Sequence, residues 1–564
     1  MTDPKATIRG PSQPPLRSCT IGQLLSQQAT TFPERHAIVA FSTGVRRDYD
    51  HLNLRTRDIA RALVAAGICY GDKIAILLGD CETYVELFFA AARIGAIAVL
   101  IQGSYSVVET LNVLQASESC MLFISASLGN EASSAFLDQF QGLVGSRTLG
   151  QRVPRLKTIV QIDDDSPTLT SIFTPWRTFL QRTSLVTLSH LTCLEEKVAS
   201  DAVCAFLLTS GTTGSPKIAM LTHSNIINNA FLTGDRIRLA ANDRICCCFP
   251  LFHCAGLICG MMACLVHGAS LILPAARFSA STALKCLRVE QCTGLHGVPT
   301  MFNAILQKAR AQTAPPGPSP HLRTGIIGGS SPSESLWTAL QQEFGLKDLA
   351  QGFGMTETSA AAFLSPPRMG ESRSLPGQLQ ILPHTSAKVV DVQGKVVARG
   401  ERGELYVSGY LLLKGYFKNR ERAHDAMVWE DGELWFRTGD EVLIDTCGNL
   451  QVTGRIKDII IRGGENIYPQ EIEGRLEEHR SIAQACVLGV ADDHYGQVVA
   501  AFLQQLPSTV RPSDAELVEW VQMTLSPVKA PARIFWLGTD GLPDTFPLTG
   551  SGKIRKNVLQ QLIE

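Results

Sequence analysis

The sequence is short of several things, and each shortage excludes a class of protein. It has almost no net charge: 51 basic residues against 52 acidic ones leave a formal charge of −1 across 564 residues. No polybasic tract stands out, which speaks against nucleic acid as a partner. Its 16 cysteines are scattered and include no Cys-x-x-Cys pair, which argues against a thiolate metal centre. The first residues, "MTDPKATIRGPSQPPLRSC", contain no apolar h-region of a signal peptide. The cysteines therefore read as reduced thiols of an intracellular protein, most of them in the core. The most apolar stretch, Phe88 to Ile101, is interrupted by Arg93 and Gly95 and is too short to span a bilayer. The final "QLIE" is not a peroxisomal address of the Ser-Lys-Leu type. A cytoplasmic protein without a transmembrane segment is the expectation. No internal repeat is found.

What is present is a large apolar fraction, 45% of residues, ample for an extended core. The length corresponds to roughly three or four folding units. Up to about residue 400, short buried strand patterns alternate with helical ones. "HAIVAF", "DKIAILL", "SLILP", "GLHGV" and "TGIIGG" read as strands, and "TIGQLLSQQATTF" as a helix capped by Thr20. "YVELFFAAARIGAIAVLI" reads as a helix running through Gly95 into a strand. This alternation predicts an α/β fold with largely parallel sheets. The proline-rich "AQTAPPGPSPHL" reads as a surface loop. Beyond residue 400, "GELYVSGYLLLKGYF" and "GELWFRTGDEVLIDTCGNLQVTGR" read as β-hairpins, with a turn at "DTCGN". A small α+β unit follows. The expected division is a flexible arm over 1–19, a large domain over 20–456 and a small domain over 457–564.

The strand pattern "AVCAFLLTS" runs into "TSGTTGSPK", Thr209 to Lys217. Gly211 and Gly214 let backbone N–H groups turn inward as an anion nest. Thr209, Ser210, Thr212 and Thr213 add hydroxyls, and Lys217 adds a cation. Walker A spacing is absent, because Lys217 follows Pro216 instead of opening a helix. Further along come "GGSSP", "QGFGMTET", "RTGD", "GRIKD" and "PLTGSGKIRK", each an ordinary turn when taken alone. The order and content of these motifs resemble the adenylate-forming superfamily, which includes acyl-CoA synthetases, luciferases and the adenylation domains of peptide synthetases.

That resemblance implies an enzyme that condenses a carboxylic acid with ATP to acyl-AMP, releases pyrophosphate, and transfers the acyl group to CoA. The loop Thr209–Lys217 would hold the departing phosphates. Gly329 and Ser330 would pack against adenine, together with Gly352, Phe353 and Gly354; members often have tyrosine where this chain has Phe353. Thr356 would contact phosphate and Glu357 would hold Mg²⁺, a hard cation suited to carboxylate oxygen. Asp440 would accept from the ribose hydroxyls, and Arg455 would serve the same ribose or the phosphates. Lys553 would contact the substrate carboxylate and the α-phosphate, where two anions must meet. In the family the small domain rotates between the two half-reactions. The hinge would be Lys457, and the loop Arg462, Gly463, Gly464 and Glu465 would line the CoA tunnel.

The segment Phe249 to Leu273 bears on the acid. Amino-acid-activating domains usually carry an aspartate at the position of His253, and this segment has no acid at all. A buried, unpaired ammonium would cost several kcal/mol. A non-amino acid is therefore expected, with His253 gating the acyl pocket. "GVPTMF", "GRIKDIIIRGGENIYPQEIE" and "VLGVADDHYGQ" add a resemblance to medium-chain fatty acyl-CoA synthetases and, more weakly, to coumarate–CoA ligases. Small residues such as Gly256 and Gly260 are expected to line an acyl tunnel. Two rival readings stand beside this one. A fatty-acyl-AMP ligase would load a carrier protein, although the hinge sequence shows no restraining insertion. A non-catalytic nucleotide-binding scaffold would not need Lys217, Glu357, Asp440, Arg455 and Lys553. A carrier protein or a downstream acyltransferase is a further candidate partner.

Overall fold

The computed structural model describes residues 4–125, 139–140, 142, 152–163, 173–209, 217–312, 320–367, 376–419, 425–463, 465–492, 494–539, 541–550 and 552–563. Among these, four sheets organise the chain. The first has seven strands, in the order Lys217–Thr222, Val203–Thr209, Ile97–Leu100, Lys73–Leu77, Met121–Ile124, Thr158–Gln161 and Thr174–Pro175. All its pairings are parallel except the one between Lys217–Thr222 and Val203–Thr209. The second sheet has nine strands. Its parallel centre runs Asp348–Phe353, Thr324–Gly328, Gly294–Gly297, Arg244–Cys247, Ser270–Leu273 and His36–Ala40.

Strands buried on both faces read as largely apolar runs, and most of these do, with His296 and Gln351 among the buried polar exceptions. One apolar core joins the two sheets: Ile74 and Ala98 of the first, Leu87 and Phe88 of helix Glu82–Arg93, and Leu271 and Ile326 of the second. Every residue of that helix from Tyr84 to Arg93 is buried, as expected of a helix apolar on nearly every side. Its buried charges are paired inside: Arg93 Nη1 with Glu195 Oε1 at 2.5 Å, with Nε donating to Thr56, and Glu86 with Arg47 and Arg55. Thr20 caps helix Ile21–Thr31 with a full capping box.

The third sheet is antiparallel and holds the strands Thr385–Val390, Gly403–Gly409, Met427–Glu430, Glu433–Ile444 and Leu450–Arg455. The stretch expected to be a flexible arm supplies its edge. Thr7–Arg9 pairs with Ser386–Lys388, Ala6 is fully buried, and Arg17 N donates to Asn228 Oδ1 at 2.7 Å. Main-chain pairing of residues 6–11 and side-chain contacts to Pro14 and Arg17, neither visible in a proline-rich composition, hold this stretch in place. A second departure concerns "GELYVSGYLLLKGYF". Only Gly403–Gly409 is strand; the chain then crosses to the first sheet, where Met220 N donates to Gly415 O and Phe417 N to Ile218 O. The "DTCGN" turn is as expected, closed by Asp445 and Asn449.

The fourth sheet contains Glu465–Ile467, Ile460–Arg462, Gly496–Gln505, Ile482–Asp492 and Arg533–Trp536. Two apolar clusters built from residues 460 onward cover its faces. A 3₁₀ turn, Ile456–Asp458, leads into it with Lys457 exposed.

Candidate active site

In open α/β sheets ligands bind beyond the carboxyl ends of parallel strands. Four adjacent strands of the second sheet deliver their ends side by side here. Arg244–Cys247 leads to Phe249–His253, Gly294–Gly297 to Thr300, Thr324–Gly328 to Gly329 and Ser330, and Asp348–Phe353 to Gly354–Glu357. Gly329 has φ +93°, a left-handed conformation that opens the turn only for glycine.

Lys553 comes to this edge from the far end of the chain. It sits on a hairpin tip, where Thr549 N donates to Lys553 O at 2.7 Å and Lys553 N to Thr549 Oγ1 at 3.0 Å. The tip is tied down by Thr300 Oγ1, which donates to Gly552 O at 3.2 Å. A methyl group at Gly329 would lie 3.3 Å from Lys553 Cε, so the lysine stem passes over that turn. Its ammonium faces Cys254, Asp440 and Glu357, with Arg455 alongside. Solvent still reaches the side chain. The surrounding walls, by desolvation, hold its pKa below the ordinary lysine value despite the two carboxylates.

Asp440 and Arg455 face each other across strands Glu433–Ile444 and Leu450–Arg455, with Arg455 Nε 2.8 Å from Asp440 Oδ1. Asp440 Oδ2 is buried and has no partner among the described residues. Burial raises this carboxyl to about 6, against the opposing pull of Arg455 and Lys553. A buried acceptor without a donor is a place for ligand hydroxyls.

Glu357 lies in the 3₁₀ turn Thr356–Thr358. Tyr416 OH donates to its Oε1 at 2.8 Å, and the Tyr416 ring carries Lys217 Nζ 5.1 Å above its centroid. The crossing of residues 413–417 to the first sheet thus holds Lys217 and Glu357 on one aromatic ring. Lys217 pairs in register with Thr209, whose buried Oγ1 has no partner among the described residues. Ser210, Gly211, Thr212, Thr213 and Gly214 lie outside the described residues. The Thr356 hydroxyl points at Cys254 Sγ, 3.6 Å away. Phe353 is half-buried and meets Phe363 edge-on at 6.1 Å, and Gly352 pairs with Leu364.

His253 ends the loop after Arg244–Cys247. Its Nδ1 accepts from Ala255 N at 3.3 Å, and burial together with Lys553 lowers it to about 3, so the ring is neutral. A π-helical run, Ala255–Met262, follows; such turns are rare and cluster at functional sites. Gly256 and Gly260 do not line a tunnel, which corrects the expectation for this segment. A Cβ on Gly256 would fall 2.1 Å from Pro250 O, and one on Gly260 2.5 Å from Cys247 Sγ. Gly256 lets the helix press against the loop Phe249–His253, and Gly260 against Cys247 of the strand before it. The loop also receives a carboxylate from elsewhere: Asp80 Oδ1 accepts from Leu251 N at 2.9 Å, and burial raises Asp80 to about 7.

The proposed thiol-tunnel residues are not brought to this cluster. Arg462 Nη1 donates to Val528 O at 3.0 Å, its guanidinium stacks on Tyr495, and Gly463 N donates to Tyr495 O. Glu465 is exposed, and Gly464 lies outside the described residues.

Two family models cover this architecture: AMP-binding enzyme matches residues 25–417, and AMP-binding enzyme C-terminal domain matches residues 471–553. The chain belongs to the AMP-binding enzyme family. Its full-length relatives place it on the acyl-CoA synthetase branch, as an ATP-dependent ligase. Acyl-CoA ligase SID4 of Ajellomyces capsulatus is 40% identical over 560 residues, covering 99% of this chain and 93% of the relative. Medium-chain acyl-CoA ligase ACSF2, mitochondrial, of Homo sapiens is 30% identical, covering 99% and 89%. The o-succinylbenzoate CoA synthetase MenE of Bacillus subtilis, solved with its acyl-adenylate OSB-AMP, superposes with a TM-score of 0.72 at 26% identity, covering 97% of this chain and 99% of that one. The anthranilate CoA ligase AuaEII shares the fold, with a TM-score of 0.81 at 22% identity over 98% of both chains.

Two residues of this synthetase's cleft escaped the sequence reading. Tyr416 acts on Glu357 from 59 positions away, and no local pattern marks it. Cys254 directly follows His253 and could have been noticed by adjacency alone.

Proposed function

We propose that this synthetase activates a carboxylic acid without an amine, of medium chain length or a related acyl type, and that Lys553 bridges the two anions that react. The observation that carries the proposal is the convergence of Lys553 with Asp440, Glu357, Arg455 and Cys254 in one cleft. A carboxylate and the α-phosphate of ATP repel each other, and a partly desolvated ammonium between them offsets that repulsion more strongly than one in bulk water. Asp440 Oδ2 supplies the acceptor for ribose hydroxyls. Lys217 and the loop before it hold the departing pyrophosphate.

Magnesium is commonly held by one or two carboxylates together with substrate phosphates. Glu357 fits this: it is a single carboxylate at the cleft, oriented by the Tyr416 hydroxyl. When bound, the ion would neutralise phosphate charge beside Lys553.

The position of Lys553 corresponds to the adenylation half-reaction, whereas Arg462, Gly463, Gly464 and Glu465 would serve the CoA half-reaction after rotation about Lys457. The chain-length reading draws support from relatives named medium-chain acyl-CoA ligases. The absence of acid from Phe249 to Leu273 supports a substrate without an amine. All 16 cysteines are unpaired, which suits a reducing compartment such as the cytoplasm. No helix among the described residues is long and apolar enough to cross a membrane.

The deciding experiment measures pyrophosphate release from ATP with acids from acetate to stearate, aryl acids and amino acids, then product mass after adding CoA or a holo carrier protein. Release with a medium-chain acid and a thioester of CoA is expected. Release with amino acids alone, or an acyl group passed only to the carrier protein, would sink the proposal.

A further inference from the structure

Three thiols converge beneath the second sheet. Cys246 lies in strand Arg244–Cys247, Cys286 in helix Ala280–Val289, and Cys292 in the turn before the parallel strand Gly294–Gly297. Their sulfur atoms all lie within 4.8 Å of one another, and all three side chains are fully buried. No imidazole or carboxylate shares the cluster among the described residues. The fold, not a local Cys-x-x-Cys motif, brings these three residues together. The charged surroundings lean positive. Arg244 faces Cys286 and Cys292, and Arg46 faces Cys286. Both guanidiniums pair with Glu290, Arg46 at 2.6 Å and Arg244 at 2.5 Å, and Asp243, which accepts from Thr293 beside Cys292, is paired with Arg323. Arg46, Arg244 and Arg323 against Glu290 and Asp243 leave one positive charge in surplus beside the thiols.

We propose that Cys246, Cys286 and Cys292 form a trigonal, all-sulfur binding site for a soft monovalent metal ion, copper(I). Thiolates select soft ions such as copper(I), whereas structural zinc takes four ligands, commonly with imidazole among them. Each sulfur that ligates gives up its proton to solvent, so one copper(I) with three thiols yields a tris-thiolate complex of charge −2 and three protons. The arginine surplus offsets part of that charge. The ion would pin helix Ala280–Val289 to the strand that continues into Phe249–His253. The competing account is three neutral thiols packed as core residues, which would bind nothing.

The test uses the full chain with the exposed Cys69, Cys193 and Cys447 changed to serine, so that surface thiols do not contribute. The protein is isolated from copper-supplemented cells and also titrated anaerobically with copper(I), each time against bathocuproine disulfonate. About one copper per chain should survive the competitor, with a sulfur-to-copper charge-transfer band and a melting temperature raised by a few degrees, as expected of a ligand bound only by the folded state. Cys292→Ser and, separately, Cys286→Ser should weaken retention at least tenfold and remove the thermal shift. Failure of the parent to retain copper by either route would overturn the proposal. So would equal retention by a serine variant that still releases pyrophosphate at the parental rate. Zinc held as tightly as copper would refute the trigonal assignment and bring in Cys248, which also interacts with Cys246.

Discussion

Gly256→Ala separates two accounts of the wall behind the active site. If Gly256 faced an acyl tunnel, one added methyl would cost long acids and spare short ones. The structure gives a different answer, because the new Cβ would stand 2.1 Å from Pro250 O, 2.5 Å from Pro250 C and 2.7 Å from Phe249 O. All three are main-chain atoms, so no side chain can swing aside. The π-helical run must back away from the loop Phe249–His253 by about 1 Å to restore ordinary contact, a typical overpacking strain of roughly 1–3 kcal/mol. At roughly 2–4 °C per kcal/mol for a large domain, the melting temperature should fall by roughly 2–12 °C. His253 rides on the displaced loop. A misplacement of about 1 Å at a reacting centre can cost on the order of a hundredfold, so pyrophosphate release should drop roughly 10- to 100-fold for every acid alike. The assay is kcat/KM for butyrate and decanoate alongside thermal unfolding. An unchanged melting temperature with loss confined to decanoate would refute the core assignment and restore the tunnel.

Lys553→Ala should lower acyl-AMP formation on the order of 100- to 1,000-fold, the typical loss of one oriented electrostatic group. Transfer from supplied acyl-AMP to CoA should persist, and equal loss in both steps would remove the assigned role. Lys457→Pro fixes φ at the exposed turn and should leave pyrophosphate release near the parental rate while thioester formation is lost; normal thioester output would show that the pivot lies elsewhere. Asp440 has a folded pKa of about 6, above its ordinary 3.8. Its contribution to stability is therefore full below about pH 4 and lost as pH rises through 6, while its ability to accept from ribose grows over that same interval. The kcat/KM for ATP should climb between pH 5 and 7, and Asp440→Asn should flatten that limb; an unchanged limb assigns it to another group. Tyr416→Phe removes a hydrogen bond to a charged carboxylate, worth about 1.5–3 kcal/mol. It should raise the half-saturating Mg²⁺ concentration and cut adenylation roughly tenfold, and adenylation within about twofold of the parent would make Tyr416 a packing residue only.

Much of the chemistry was legible in the sequence because it is carried by short segments whose local geometry their own residues dictate. The turn at Gly329 is set by what one residue's backbone can adopt. The capped helix at Thr20, the buried helix Glu82–Arg93 and the parallel strands were equally local, resting on periodicity, capping and apolar runs. The matches at Glu357, Asp440, Arg455 and Lys553 announced the family for the same reason. What the sequence could not determine is what meets what. The N-terminal residues became an edge strand because Ser386–Lys388 offered unpaired main-chain groups, not because of their composition. Gly256 looked like free volume and proved to be a close approach, since whether a missing side chain leaves space depends on the atoms opposite. Tyr416 found Glu357, and Cys246 found Cys286 and Cys292, across long stretches of chain. A side chain's partners across such separations are chosen by the path of the backbone between them, and only the packed tertiary structure decides that path.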